Sequence, residues 1–160
     1  MSALPDVFAA ACGQGHAWIA ARVPHAGRMC LLDGVTRATP QAIICTACNH
    51  RAHDHPLRQD GRLGAACGVE YAAQAMALHG ALQAEQRQAA RPRAGMLVSL
   101  RDVRLQVGRL DDIDADLTVQ AKCEADNGDH CVYGFWLSAD ARPLLQGRAV
   151  VMLDVSFPTS

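Results

Sequence analysis

Apolar positions in residues 29–50 gather into two short runs, MCLLDGVTRAT and QAIICTACNH, on either side of Pro40. Proline suits a turn, so the pattern predicts an antiparallel pair of strands. The polar stretch CTACNHRAHDHPLRQDGRL, residues 45–63, then leads into GAACGVEYAAQAMALHGALQAEQRQ. This last segment is rich in Ala, Leu, Met and Gln and too long for a strand, and it predicts one long helix over 65–86. Beyond ARPRAG come four β-like segments: GMLVSLRDVRLQV, DADLTVQAKCEAD, HCVYGFWLSAD and RPLLQGRAVVMLDVSF. In the second, Leu117, Val119, Ala121 and Cys123 alternate with Thr118, Gln120, Lys122 and Glu124, the period of a half-buried strand. Turn signals stand at Asn127-Gly128 and at Ala139-Asp140. Two strands, a helix and four strands fit an α+β fold in which an antiparallel sheet buries one face by wrapping the helix.

From Ala66 to Gly80 that helix is apolar on almost every side, as a buried helix is. Glu70 and Gln74 are its strongly polar side chains before His79, four apart and stacked on one face. An unpaired carboxylate is costly to bury, so Glu70 calls for a partner or a water-lined cavity. Its place in the first turn also favours it through the helix dipole, a purely structural account.

At 160 residues the chain, 1–160, is read as a single domain large enough to bury a core without staples. Fifteen Lys and Arg nearly balance sixteen Asp and Glu, leaving a formal charge of -1, which gives no footprint for nucleic acid or for an anionic membrane surface. No stretch approaches the roughly 18 apolar residues of a membrane helix. The N-terminal MSALPDVFAAACGQGHAWIAAR lacks a basic leader and is interrupted by Asp6, Gly13 and His16, a poor export signal. Seven scattered cysteines make no disulfide framework and fit reduced thiols in a cytoplasm.

Cys45-x-x-Cys48 followed by His50, His53 and His55 holds enough ligands for zinc. Cys45 continues the strand pattern of Ile43, however, which sends it and Cys48 to opposite faces, and no second Cys pair follows at zinc-finger spacing, so no metal site is expected. Among the histidines His55 is singled out by Pro56, which stiffens the backbone that presents it. Arg87, Arg91 and Arg93 behind the helix read as a solvated basic loop, with docking of an acidic carrier protein as the alternative. No phosphate-cradling glycine pattern supports a nucleotide cofactor, and none is expected.

VPHAGRMCLLDGV at 23–35, HP at 55–56 and GVEYAAQAMALHG at 68–80 together resemble the hotdog-fold 3-hydroxyacyl-[acyl-carrier-protein] dehydratases. Closest is the ApeP-like branch associated with aryl polyene biosynthesis. The resemblance implies a hotdog fold, a curved antiparallel sheet around one central helix, with no cofactor. It implies a partner in the form of an acyl carrier protein bearing a phosphopantetheine-linked acyl chain, and assembly as a homodimer or as a heterodimer with a related dehydratase. Carried over residue by residue, the catalytic pair is His55 and Glu70, and His25 borders the site. The histidine is framed here as Asp54-His55-Pro56 rather than Gly-His-Phe-Pro, which leaves His53 or His50 as substitutes.

Such an elimination needs a base for the proton beside the thioester carbonyl and an acid for the departing hydroxyl, roles suited to His55 and Glu70. Charge on the thioester oxygen needs donors, and amides at the helix start around Gly64, Ala65, Ala66 and Gly68 are candidates for binding it, with Gln74 one turn beyond Glu70. Gly68 would admit the substrate closely or, alternatively, permit tight helix packing. Two other functions stay open: an acyl thioesterase, and a non-catalytic subunit of a heteromeric dehydratase.

Overall fold

A computed structural model of the protein describes residues 4–25, 27–88 and 95–153. Two short helices, α1 (Val7–Ala11) and α2 (His16–Ala20), come first. Asp6 starts α1 by accepting the amides of Phe8 and Ala9. The strands β1 (Gly34–Ala38) and β2 (Ala42–Ala47) pair antiparallel across the Pro40 turn. The long helix α3 (Gly68–Gln86) follows, then β3 (Gly95–Leu105), β4 (Leu117–Asp126), β5 (His130–Ala139) and β6 (Arg142–Leu153).

These strands form one antiparallel sheet in the order β1-β2-β4-β5-β6-β3, which leaves β1 and β3 at its edges. Leu117, Val119 and Ala121 on β4 are buried while Thr118 and Gln120 are not, as their alternation requires. Gly128, with φ +86°, turns β4 into β5, and Asp140 and Ala141 take positive φ between β5 and β6. The sheet wraps α3, which lies against β2, β4 and β5. Tyr71, Ala72, Ala75, Leu78 and Leu82 of the helix are wholly enclosed.

The helix begins three residues later than the composition suggests, because Ala65–Cys67 form a 3-10 turn that leads into it. Gly68 stands where the chain enters α3: a Cβ there would lie 2.3 Å from Leu145 Cδ2 and 3.1 Å from Leu137 Cδ2. Its role is therefore close packing of helix on sheet. The segment before it is clamped by Asp111, which accepts the Leu63 amide at 2.8 Å and is bound by Arg109, whose guanidinium holds that carboxyl well below the ordinary carboxylate range. No helix among the described residues is long and apolar enough to cross a membrane. Arg91 and Arg93 lie outside the described residues.

Candidate active site

Glu70 projects from the first turn of α3, with 34% of its side chain exposed. The imidazole that meets it is that of His25: His25 Nε2 and Glu70 Oε1 are 3.0 Å apart. His25 Nδ1 is shielded from solvent and has no partner among the described residues, so one ring nitrogen remains unspent. The pair stands at one end of a groove of about 660 Å³ that runs along α3 past Ala73, Ala77, Gly80 and Ala84 and is walled opposite by Leu97 of β3 and Val151 of β6. At a rise of 1.5 Å per residue, Glu70 and Ala84 are about 21 Å apart along the helix. The helix keeps small side chains on this face, and where it would otherwise bury that face it leaves a channel. At the far end Arg87 pairs with Asp126 at 3.5 Å.

His55 is placed elsewhere, and the pairing of His55 with Glu70 expected from the sequence is not made within the chain. His55 is 5% exposed; its Nδ1 accepts the Leu57 amide at 3.1 Å, and its Nε2 lies 3.0 Å from the Tyr71 hydroxyl. With Nδ1 an acceptor, the ring proton sits on Nε2 and is donated to Tyr71, which in turn donates to Asn49 Oδ1 at 2.6 Å. Both nitrogens of His55 are thus occupied. Burial, reinforced by the cationic Arg58, pushes its pKa below the ordinary imidazole value and keeps the ring neutral. The loop that Pro56 helps to shape holds His55 in a buried hydrogen-bond chain. His55 also lines a shallower cleft of about 420 Å³ with Arg28, Asp33 and Asp54, on other walls than those of the groove.

The substitutes named from the sequence do not meet Glu70 either. His50 is fully buried, with Nε2 2.9 Å from the Ile113 carbonyl, and His53 is exposed. Gln74, read as a substrate contact, is 0% exposed: Oε1 accepts the Leu31 amide at 2.8 Å and Nε2 donates to the Met29 carbonyl at 2.6 Å. The helix entry offers fewer donors than its sequence suggests. The Ala65 amide is spent on Gly108, that of Cys67 on Gly64, and that of Gly68 on Ala65 and Ala66. Gly64 pairs with Arg109 in an isolated bridge. Cys45 is buried, with its thiol pushed up to about 12 by burial, while Cys48 is exposed. Tyr71 and Asn49 were not singled out by the sequence; a tyrosine inside an alanine-rich helix, beside its lone acid, is the signal that was there.

Comparison with known proteins bears on the reaction class. In the dehydratase heterocomplex ApeI:P from Xenorhabdus doucetiae, the matching chain superposes with a TM-score of 0.75 at 24% identity, over 84% of this chain and 90% of that one. A thioesterase family protein from Silicibacter pomeroyi matches with a TM-score of 0.56 at 15% identity, over 76% and 84%. A hypothetical thioesterase from Streptococcus pneumoniae TIGR4, solved with coenzyme A, gives 0.54 at 12%, over 74% and 83%. These likenesses establish the hotdog fold. No curated protein sequence matches the chain. Residues 17–156 match the ApeP-like family model, described as ApeP dehydratase, and since that span is well over half of the 160 residues, the chain belongs to the ApeP-like dehydratase family.

Proposed function

We propose that this dehydratase removes water from a 3-hydroxyacyl thioester carried on the phosphopantetheine arm of an acyl carrier protein, giving the trans-2-enoyl thioester for fatty-acid, aryl-polyene or related polyketide-like synthesis. The observation that carries this reading is the His25–Glu70 pair at the end of an apolar groove long enough for an acyl chain. The elimination is proton transfer alone. A proton leaves the carbon beside the thioester carbonyl for the His25 imidazole, the C–H electrons form the double bond, and the C–O bond breaks as Glu70 protonates the departing hydroxyl. The products of that step, an imidazolium and a carboxylate 3.0 Å apart, neutralise one another. Proton exchange with water then restores the neutral imidazole and the protonated Glu70 carboxyl.

His55 has no free lone pair for this work and serves as an anchor of the 49–57 loop. A second subunit, either another copy or a related dehydratase, completes the assembly along the open edge of β3, in keeping with the heterocomplex formed by the Xenorhabdus relative. Hydrolysis is the second reading, favoured by the exposure of Glu70, which leaves room for a water. Carrier-bound 3-hydroxyacyl and saturated acyl thioesters separate the two by enoyl product or free thiol. His25→Ala and Glu70→Gln are each expected to lower dehydration about 10²–10⁴-fold, with His55→Ala lowering it far less. Parental turnover in both His25→Ala and Glu70→Gln would end the dehydratase reading of this groove.

A further inference from the structure

We propose that His130, Met152 and Met96 form a binding site for a soft monovalent cation, copper(I), on the outer face of the sheet. The register sets them side by side on neighbouring strands: His130 of β5 faces Met152 of β6, and Met152 faces Met96 of β3. Directly opposed residues share a face, with Cβ atoms about 4.5–5.5 Å apart. That face is turned away from α3. Gly95, Leu97, Cys131, Val151 and Leu153 line the groove, so the positions that alternate with them point to the other side of the sheet. His130, Met152 and Met96 are each half-buried there.

The donor set selects the metal. Thioether sulfur is a soft ligand with neither charge nor proton, and beside an imidazole it suits copper(I), whereas magnesium and calcium take carboxylate, carbonyl and water oxygens. The imidazole is already in the form a metal needs. His130 Nδ1 lies 2.8 Å from Asp129 Oδ1, which holds the ring proton on that nitrogen, and Nε2 lies 2.9 Å from the Asn127 amide nitrogen, which donates to it. Nε2 therefore keeps its lone pair, and a carboxylate behind the opposite nitrogen makes it the stronger donor. Asn127 is the group that the cation displaces. The turn carrying the imidazole is tied to both strands beside it: the Asn127 amide donates to the His130 carbonyl at 2.9 Å and the Leu153 amide to the Asp129 carbonyl at 2.8 Å. On its reverse the same stretch of β3 and β6 walls the groove, so the bound cation pins that wall across three strands.

Silver(I), which needs no reductant, is the probe. It is added to the full chain carrying Cys12→Ser and Cys48→Ser, so that the two exposed thiols do not compete. Isotope-labelled methionine methyl groups report the site by NMR, assigned through Met96→Leu and Met152→Leu. The first equivalent is expected to shift the Met96 and Met152 methyls together with the His130 ring and to leave Met29 and Met76 in place. Magnesium(II) should shift none of them. His130→Ala and Met152→Leu should each weaken binding at least about 10-fold, a loss that even a change behind a ligand brings, while Asn127→Ala uncovers Nε2 and should tighten it. Silver taken up by thiols with both methyls unmoved, or affinity unaltered in His130→Ala and Met152→Leu, overturns the proposal. Weaker binding in Asn127→Ala overturns it as well.

Discussion

Alanine at Gly68 and alanine at Gly80 should move stability in opposite directions, although both lie on α3. At Gly68 the new methyl would stand 2.3 Å from Leu145 Cδ2 and 3.1 Å from Leu137 Cδ2, and both leucines are 1% exposed. Overpacking of a closed core costs about 1–3 kcal/mol. At Gly80 a Cβ meets nothing within 4 Å, because that position opens on the groove. Replacing an interior helical glycine by alanine then stabilises by about 0.5–1 kcal/mol, chiefly by restricting the unfolded chain. The two variants should therefore differ by about 1.5–4 kcal/mol. Urea unfolding reads this as midpoints displaced to either side of the parent at unchanged slope. Dehydration of short acyl substrates should persist in Gly80→Ala, with KM rising first for the longest chains. Equal midpoints, or a Gly68→Ala variant more stable than the parent, would refute the packing account and return Gly68 to the substrate.

Acid should destabilise the fold through its buried imidazoles. Burial pushes the pKa values of His50, His55 and His79 below the ordinary value, so the unfolded chain binds more protons; the stability they contribute is fully present above about pH 6.5 and is lost as pH falls from there through their folded values. Urea midpoints measured from pH 7.5 downward check this, and a flat profile would contradict it. Tyr71→Phe strips the hydroxyl from between His55 and Asn49 and should cost about 1–3 kcal/mol while lowering turnover much less than His25→Ala. Paired unfolding and turnover measurements decide that ordering.

The sheet and helix could be read from the sequence because their signals are local. The β4 alternation, the Asn127-Gly128 turn and the alanine-rich run at 68–86 each fix a conformation within a few residues, and the topology follows from burying them together. Glu70 stands out for the same reason, as a lone acid on an apolar helix. Which imidazole meets it within the chain does not. Whether His25, His50, His53 or His55 reaches Glu70 depends on how the 22–31 segment crosses α3, and that crossing is set by Gln74 and Arg22, contacts spanning 43 and 63 positions. Pro56 and the family resemblance favoured His55, and Tyr71, one residue beyond Glu70, is the side chain it meets within the chain. The donors at 64–68 were overestimated because the 3-10 turn and Gly108 consume amides that an abrupt helix start would leave free.

The β3 edge explains why the groove is open on one side. Leu97 walls the groove and is 37% exposed; Val98 is 49% exposed, Leu100 43%, Val103 38% and Leu105 51%, on an eleven-residue strand that among the described residues is hydrogen-bonded to β6 alone. A long apolar edge of this kind invites strand pairing, and little blunts it here beyond Arg101, Asp102 and Arg104. Pairing there would cover these side chains and close the wall beside Leu97, so under the proposed function assembly and a complete acyl channel would be one event. Full burial of a leucine or valine is worth about 1.5–3 kcal/mol, and replacing Val98 and Leu100 by lysine removes two such contributions while adding two charges. The double variant should fold as the parent does by circular dichroism yet sediment as a monomer at micromolar concentration, with KM raised for long acyl substrates. A variant that stays assembled, or a monomer with parental KM, would show that the channel is closed by some other contact than this edge.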